Sequence, residues 1–291
     1  MIYFCADDYG ISKSYNECIE ACLKNGILNK VSVLPNGEVD GFVQKLACRD
    51  ALLTLHLNLV EGYPISKPEE VSLLIDESGC FKRSFIGLFL ASYSLKRKEF
   101  QKQIYTEIKN QITHWINISG SDKISIDSHQ HAYLIPPVFK TLMQVIRDEG
   151  INIEYMRVAS EPLLPYILTP SLYTAYKPSG LIKQWLLNFL ALINRREIRK
   201  AGIKSAYFMG VVLSGHLNAE RVSKLLTRYK KLADKHGKNI EIGFHPGCAE
   251  HSETLMRGSR QDFNKFYSSP WRTVEFETLM NNDLYKLWKE G

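Results

Sequence analysis

The sequence predicts an α/β fold in which about seven parallel strands form a distorted barrel, closed or nearly closed, with helices outside it. Short apolar runs of strand length alternate with longer segments of helical periodicity along most of the chain. That alternation is typical of parallel α/β sheets. A length of 291 residues suits one such barrel, and no linker or internal repeat divides the chain. We therefore expect one domain over residues 1–291, and an open doubly wound sheet is the alternative.

The first half of the chain supplies four predicted strands. These are Ile2–Ala6, Val31–Leu34, Leu52–Leu57 and Lys123–Ile126. Ser12 is a predicted N-cap of the first helix, which Gly26 ends, and further helices are predicted over Val39–Ala47 and Phe100–Trp115. Regular patterning is lost at about 58–83, where the turn residues Asp76–Gly79 predict a hairpin inserted into a long loop.

The second half adds three predicted strands with helices between them. The strands are Ile153–Val158, Ala206–Val212 and Ile240–Phe244. The helices are Pro136–Gly150, Leu181–Lys200, Ala219–His236 and Trp271–Trp288. Residues 159–179 contain four prolines and are predicted to be a loop.

Composition and charge exclude several classes of function. The net charge of +6 is spread in short groups and lacks the concentrated basic face of a nucleic-acid-binding protein. No apolar run is long enough to span a membrane, and the start of the chain lacks the basic region of a signal peptide. The six cysteines contain no Cys-x-x-Cys pair, which indicates reduced thiols in a cytoplasmic protein.

Acidic and imidazole side chains stand at the carboxyl ends of four predicted strands. Asp7 and Asp8 follow the first strand, His56 ends the third, Asp127–His131 follows the fourth, and His245 follows the last. Each alone has an ordinary structural interpretation as a cap, a turn or a hydrogen-bonded core residue. In parallel α/β folds, however, active groups gather where these strand ends converge. Four such sites on one rim favour a mononuclear metal site with carboxylate and imidazole ligands.

The types of ligand narrow the chemistry of such a site. One carboxylate and two imidazoles leave coordination positions open for water and substrate, as a catalytic site requires. A metal held in this way lowers the pKa of its bound water and polarises a carbonyl, so hydrolysis is the expected reaction class. A second carboxylate beside the ligands can accept the water proton, and a histidine on the opposite side can protonate a leaving amine.

Several segments, in order along nearly the whole chain, resemble the YdjC-like carbohydrate deacetylase family, which includes the chitooligosaccharide deacetylases. The matching segments are Ala6-Asp7-Asp8-Tyr9-Gly10-Ile11-Ser12 with Asn16, His56 before Glu61-Gly62-Tyr63-Pro64, Asp127-Ser128-His129-Gln130-His131, Met156-Arg157-Val158, Gly243-Phe244-His245-Pro246-Gly247, and Ser269-Pro270-Trp271-Arg272 with Glu275. The family commonly has His where Gln130 stands and Phe where Tyr9 stands. Neither difference removes a proposed metal ligand.

The resemblance implies a polysaccharide-deacetylase-like barrel that removes acetyl groups from N-acetylated sugars. It assigns a metal to Asp8, His56 and His129, with Asp7 as general base and His245 as candidate general acid. Members of the family are described with magnesium, whereas imidazole ligands suit zinc or another transition metal, so one divalent ion of either kind is expected.

Four further residues in the compared segments have no assigned role, and one of them, Tyr9, departs from the family pattern. Asp127 and Arg157 are expected to orient the base or a ligand. Tyr9 is a candidate for a similar role or for substrate contact, and His131 is a reserve ligand should His129 point away.

Other functions remain to be weighed against deacetylation. A glycosidase needs two separated carboxyl groups flanking one bond, and adjacent strand residues such as Asp7 and Asp8 would point to opposite faces. A metal-dependent amidohydrolase acting on a non-sugar amide or ester uses the same parts and stays open, as does an inert sugar-binding barrel. The expected partner is an N-acetylated sugar rather than a nucleic acid. The inserted hairpin is a candidate contact surface for a homo-oligomer.

Overall fold

A computed structural model of the protein describes residues 1–46, 51–247, 261–281 and 283–284. Seven strands form one sheet in which every neighbouring pair is parallel. They are β1 (Ile2–Tyr9), β2 (Lys30–Val33), β3 (Leu52–Leu57), β4 (Lys123–Ser128), β5 (Asn152–Met156), β6 (Tyr207–Met209) and β7 (Ile240–Phe244). Their order across the sheet is β5-β4-β3-β2-β1-β7-β6.

The two edges of this sheet approach each other. Tyr155 in β5 forms an isolated parallel bridge with Lys204, which lies just before β6. The Met156 N–H donates to the Lys204 carbonyl oxygen at 3.0 Å. An open doubly wound sheet would keep its edge strands apart, so the contact identifies a curled sheet that nearly closes. The predicted distorted barrel of about seven parallel strands is confirmed.

Ten α-helices are found in the described residues. They are α1 (Lys13–Asn25), α2 (Phe42–Leu46), α3 (Phe85–Ser92), α4 (Arg97–Ser119), α5 (Pro136–Asp148), α6 (Leu164–Ile167), α7 (Pro178–Lys200), α8 (Ala219–His236), α9 (Gln261–Tyr267) and α10 (Trp271–Leu279). Short 3₁₀ segments cover Pro68–Glu70, His129–Leu134 and Pro170–Ala175. Within the described part of the chain, no helix has both the length and the apolar character needed to cross a membrane.

The helices pack their apolar faces against the outside of the sheet. In α4, the predicted stripe is buried: Phe100, Ile104, Ile108, Ile112 and Trp115 are each at most 2% exposed. At the start of α1, the Ser12 hydroxyl accepts a hydrogen bond from the Tyr15 N–H at 3.4 Å, as expected of an N-cap. The chain leaves this helix at Gly26.

Several predicted bounds differ from the structure. The bounds of β3, α8 and β7 are as predicted. The helix predicted from Val39 begins only at Phe42, and the one predicted to reach Trp288 ends at Leu279. Ala47 and residues 285–291, where these two predictions end, lie outside the described residues.

Strand β6 is shorter than predicted because the next three amides have another acceptor. It ends at Met209 rather than Val212, since the N–H groups of Gly210, Val211 and Val212 donate to the Glu161 carboxylate. Gly210 has a φ of +148°, which turns the chain out of the sheet at this point.

The inserted region and the proline-rich loop contain little regular structure. The hairpin predicted around Asp76–Gly79 consists of a tight turn closed by one antiparallel bridge between Ile75 and Phe81. Residues 159–179 contain α6 and a 3₁₀ segment but no strand. The four described cysteines, Cys5, Cys18, Cys22 and Cys80, are buried and form no disulfide, while Cys48 and Cys248 lie outside the described residues.

Candidate active site

One carboxylate and two imidazoles converge at the carboxyl ends of the central strands. Asp8 and His56 lie next to the last residues of β1 and β3, respectively, and His129 follows β4. Asp8 Oδ1 lies 3.2 Å from His56 Nε2 and 2.8 Å from His129 Nδ1. One ligand atom from each residue lies within 4.8 Å of the others, and all three residues are at most 5% exposed. The three side chains predicted as metal ligands therefore share one buried site.

The backbone of Asp8 explains how two adjacent aspartates serve one cavity. In a regular strand their side chains would point to opposite faces. The register between β1 and β2 shifts between Ala6 and Tyr9, and Asp8 has a φ of +69°. Aspartate tolerates this left-handed conformation better than most residues. The irregularity lets both Asp7 and Asp8 line the same cavity.

Each imidazole of this site is held by a second carboxylate. His56 Nδ1 lies 2.6 Å from Asp127 Oδ1, and His129 Nε2 lies 2.9 Å from Glu61 Oε2. When each ring is neutral and carries its proton on this nitrogen, the opposite nitrogen, which faces Asp8, is free to bind a metal ion. This is the arrangement by which metal-binding histidines are usually oriented.

The charges around these rings favour a bound cation. Burial lowers the pKa of His56, but Asp127, Asp8 and Asp7 outweigh it and raise that pKa to about 9. For His129, Asp8 and Glu61 likewise outweigh burial and raise the pKa to about 10. Burial opposes ionisation of Asp8, yet the two imidazoles hold its pKa well below the usual range. Without a metal, the site therefore retains protons on its imidazoles, which a metal ion would displace.

Asp7 is fixed by a buried arginine. Arg157 Nη1 lies 2.7 Å from Asp7 Oδ2, and Nη2 lies 2.8 Å from Asp7 Oδ1, which makes a bidentate pair. Burial raises the pKa of Asp7, but the Arg157 guanidinium and His56 bring it below its ordinary value. Arg157 also contacts Asp127 at 2.9 Å and Glu241 at 2.6 Å. It thereby links the candidate base to the carboxylate that orients His56.

Beneath the site, the interior of the barrel contains a second cluster of charged groups. Lys30 Nζ donates to Glu241 Oε1 at 2.7 Å, and both side chains are fully buried. Cys5, Asp127 and Glu241 are also spaced as metal ligands would be. Lys30 and Arg157 already neutralise these carboxylates, so this cluster needs no metal to balance its charge.

His245 reaches the cavity from the loop after β7. Its Nε2 lies 3.8 Å from Asp8 Oδ2, and its main-chain N–H donates to Glu275 Oε2 at 2.6 Å. Arg272 Nη1 donates to the His245 carbonyl oxygen at 2.8 Å, and the imidazole meets the Phe266 ring edge-on. Burial lowers the pKa of His245. A histidine with fixed main chain thus faces the three predicted ligands.

These side chains line a cavity of about 220 Å³. Its lining includes Asp7, Asp8, His56, His129, His131, His245, Lys183, Gly210, Phe208, Phe263, Phe266 and Tyr267. A neighbouring cavity of about 240 Å³ shares Lys183 and Ser214 with it. The two cavities are therefore adjacent, beside α7.

Four predicted residues take different positions from the three candidate ligands. Asp127 and Arg157 lie beneath the cavity and contact His56 and Asp7, respectively. His131 lines the cavity, but its ring packs against Phe208 and does not join the group of three. Because His129 points inward, no reserve ligand is needed. Tyr9 is not brought to the cavity, since its hydroxyl donates to Glu20 at 2.7 Å.

Two residues of the site were not predicted as functional. Tyr267 in α9 donates its hydroxyl to Asp8 Oδ2 at 2.9 Å. Glu61 is fully buried, and its second oxygen, Oε1, has no hydrogen-bond partner in the described structure. Asn58 places it, because the Asn58 Oδ1 accepts hydrogen bonds from the N–H groups of Val60 and Glu61 at 3.1 Å each. The only sequence signal for Glu61 was its place in the matched Glu61–Pro64 segment.

Comparison with known proteins gives relatives along the whole chain. A family model described as YdjC-like protein matches residues 1–290. A carbohydrate deacetylase from Thermoanaerobacter pseudethanolicus is 30% identical over 190 residues, covering 64% of this chain and 73% of that protein. One from Clostridium beijerinckii is 29% identical over 244 residues, covering 81% and 95%. One from Danio rerio is 32% identical over 163 residues, which span only half of that protein.

One solved structure resembles the fold throughout. It comes from Enterococcus faecalis V583 and is provisionally described as a cellobiose-phosphate cleavage protein. The TM-score is 0.64 with 17% identity, and the match covers 99% of this chain and 94% of the other. At that identity the similarity supports the fold alone.

Proposed function

The chain belongs to the YdjC-like protein family, and we propose that it is a carbohydrate deacetylase. In this proposal, the enzyme uses one divalent metal ion to remove acetyl groups from N-acetylated sugars. Relatives named carbohydrate deacetylase support the activity. The observation that carries the proposal is the convergence of Asp8, His56 and His129, with a carboxylate behind each imidazole.

These residues fit a metal ion in number, type and charge. Three protein ligands leave positions for water and the substrate carbonyl, and the carboxylates outnumber the cations around them. When bound, such an ion supplies Lewis acidity and lowers the pKa of water. Two imidazole nitrogens among the three ligands favour zinc or another transition metal over magnesium, which prefers oxygen.

Asp7 is the proposed general base. Arg157 holds it ionised and fixes the plane of its carboxylate, so that both oxygens keep a constant position in the cavity. Each oxygen retains a second lone pair that can accept the proton of the attacking water. Because the acceptor is already oriented before substrate binds, little reorganisation is required during the reaction.

His245 is the proposed proton donor to the departing nitrogen. It comes from a different strand end than Asp7 and faces Asp8 from the wall that Phe266 forms. An amide nitrogen must gain a proton to leave as an amine, so His245 has to be protonated when the nitrogen departs. Asp8, 3.8 Å from Nε2, favours that charged form and opposes the effect of burial on the pKa of His245. The aromatic residues Phe208, Phe263 and Tyr267 line the rest of the cavity and offer apolar surface to a sugar ring and its acetyl methyl group.

The adjoining cavity supports a substrate longer than one sugar. It lies between the start of α7 and the loop after β6, and it shares Lys183 and Ser214 with the first. We assign sugar length and linkage to this cavity and to the loops at 58–83 and 159–179. Shortening the turn at Asp76–Gly79 should change the preference among oligosaccharides and leave metal binding unchanged.

The proposal is tested by acetate release from N-acetylglucosamine and its oligomers after metal removal and reconstitution with zinc or magnesium. Metal content measured on the same samples separates an unloaded enzyme from an inactive one. Release that depends on metal is expected. Full occupancy without release from any N-acetylated sugar would contradict the proposal, and hydrolysis of non-sugar amides or esters under the same conditions would favour a different amidohydrolase.

His245→Ala tests the leaving-group role in the same assay. Loss of the proton donor should lower turnover of an amide about 10²–10⁴-fold. An activated ester should be affected less, because its leaving group departs without protonation. Equal losses on the two substrates would instead assign His245 to binding or to stabilisation of the carbonyl oxygen.

A further inference from the structure

The exposed apolar side chains of this protein are concentrated in a few places. Among the described residues, every exposed large apolar side chain except Met1 and Tyr63 lies in residues 86–95, 163–173 or 181–193. We call these three stretches the apolar belt. The belt contains no Asp or Glu, and Lys183, which lines the active-site cavity, is its only charged residue. Scattered exposed apolar residues are normal, whereas such concentration marks an interaction surface.

Two of the three stretches lie beside the active site. Helices α3 and α7, which carry two of its stretches, both pack against the 3₁₀ segment that contains His129. On α7, Trp185 is 66% exposed and Phe189 is 48% exposed. Their rings stack with centroids 5.9 Å apart and an interplanar angle of 4°, so that the two aromatic side chains form one exposed pair on this helix.

Two of the three stretches end in basic residues. Residues 86–95 run into Lys96-Arg97-Lys98, and residues 181–193 run into Arg195, Arg196, Arg199 and Lys200. The acidic residues beside these clusters, Glu99 and Glu197, pair with Lys102 and Lys200. The remaining cations of both clusters therefore give the ends of the belt a positive charge.

A groove of about 730 Å³ continues this surface between α7 and the segments flanking β5 and β6. Arg195, Arg199 and Lys238 line it together with apolar residues such as Leu192 and Ile203. Among the described residues, no acidic side chain lines the groove. Cations beside apolar walls suit a molecule with an anionic head and an apolar body.

We propose that the apolar belt and its basic ends bind the surface of a bilayer that contains anionic lipid. Tryptophan, phenylalanine, leucine and isoleucine enter the boundary between headgroups and acyl chains, and nearby Arg and Lys attract lipid phosphate. A second copy of the chain fits less well, because it would bring the same basic clusters to a belt that offers no acidic partner. The inference does not depend on the proposed activity.

Vesicle flotation tests this interaction directly. The full-length protein is mixed with vesicles of phosphatidylcholine alone, or of phosphatidylcholine and phosphatidylglycerol in equal amounts. Flotation with the anionic vesicles is expected, and it should weaken as salt is added. Arg195→Glu with Arg199→Glu should lower the partition coefficient about tenfold or more, since each basic residue near an anionic surface contributes roughly fivefold.

A matched control reverses two charges elsewhere. Lys24→Glu with Lys45→Glu changes exposed residues of α1 and α2 and should leave flotation intact. Trp185→Ser with Phe189→Ser should abolish it without changing thermal stability, because both side chains are exposed. Absence of flotation for the wild type, or equal losses in the control, would overturn the proposal. The proposal would also be overturned if light scattering showed a dimer that the Trp185 and Phe189 substitutions dissociate.

Discussion

Two clusters of buried carboxylates lie one above the other in this barrel, and among the described residues only the lower one has lysine and arginine side chains paired with its carboxylates. In the lower cluster, Lys30 and Arg157 neutralise Glu241 and Asp127. In the upper cluster, Asp8 and Glu61 face imidazoles whose positive charge depends on bound protons. Both contain groups spaced like metal ligands. Ligand spacing alone therefore does not identify a metal site, because the charges of the protein's own side chains must be counted too.

Asp7 lines the cavity of the upper cluster and pairs with Arg157 of the lower cluster. Its substitution therefore has the largest expected effect on activity. Asp7→Asn should lower kcat about 10²–10⁴-fold, because the amide cannot accept the water proton. Metal content should stay unchanged, since Asp7 is not among the three proposed ligands. Steady-state kinetics and metal analysis on one preparation check both points. Near-normal turnover at full metal occupancy would remove Asp7 from the mechanism.

Arg157→Met tests the lower cluster through stability. It leaves Asp7, Asp127 and Glu241 with Lys30 and the protonated His56 as their remaining cations, and breaking a buried ion pair in this way costs about 3–5 kcal/mol. Urea denaturation of the metal-free protein measures the loss of unfolding free energy. Asp8→Asn is the matched change in the upper cluster and should destabilise the metal-free protein much less. Equal losses of unfolding free energy in the two variants would mean that the two clusters do not differ in how their charges are balanced.

Glu61→Gln tests whether the outer carboxylate matters to the upper cluster. The amide can still accept a hydrogen bond from His129 but carries no charge, so metal affinity should fall about 10–100-fold. Competition with a chelator measures the affinity. Glu107→Gln is the control, because Glu107 is also fully buried and accepts hydrogen bonds from Ile65, Ser66 and Gln111, but it bonds to none of the proposed metal ligands. Similar losses in both variants would count against a specific role for Glu61.

Proton release on metal binding is the smallest effect expected. The pKa values of His56 and His129 are raised to about 9 and about 10, so at neutral pH both rings of the metal-free protein are in the charged form, with a proton on each nitrogen. Metal must displace these protons, and its affinity should therefore rise with pH and level off above about pH 10. The stabilisation that protonated rings give the metal-free fold is complete below about pH 6.5 and is lost as the pH rises through 9 and 10. Calorimetry in buffers of different ionisation enthalpy counts the protons, and no release would contradict this account.

Much of the fold and part of the site could be predicted because their signals are local. Apolar runs mark strands, and Asp8, His56 and His129 stand at or just after strand ends, where a parallel sheet brings side chains together. Glu61 and Tyr267 were missed because their partners lie far away in sequence: Glu61 is 68 residues from His129, and Tyr267 is 259 residues from Asp8. Helix α3 was missed for another reason. Its sequence, Phe85–Ser92, carries no charged residue, so it shows no periodicity between polar and apolar faces.

The join between β5 and β6 has a consequence for how the protein moves. The candidate ligands lie on or after β1, β3 and β4, in the interior of the strand order, whereas Gly210 lines the cavity directly after an edge strand. On the side that faces β5, one bridge at Lys204 and the side chain of Glu161 hold that edge, in place of a continuous ladder of main-chain hydrogen bonds. Amide hydrogens there should exchange with solvent through local opening, while those of β1 should require global unfolding. The wall of the cavity at Gly210 can thus adjust while the strands that carry the candidate metal ligands stay in place.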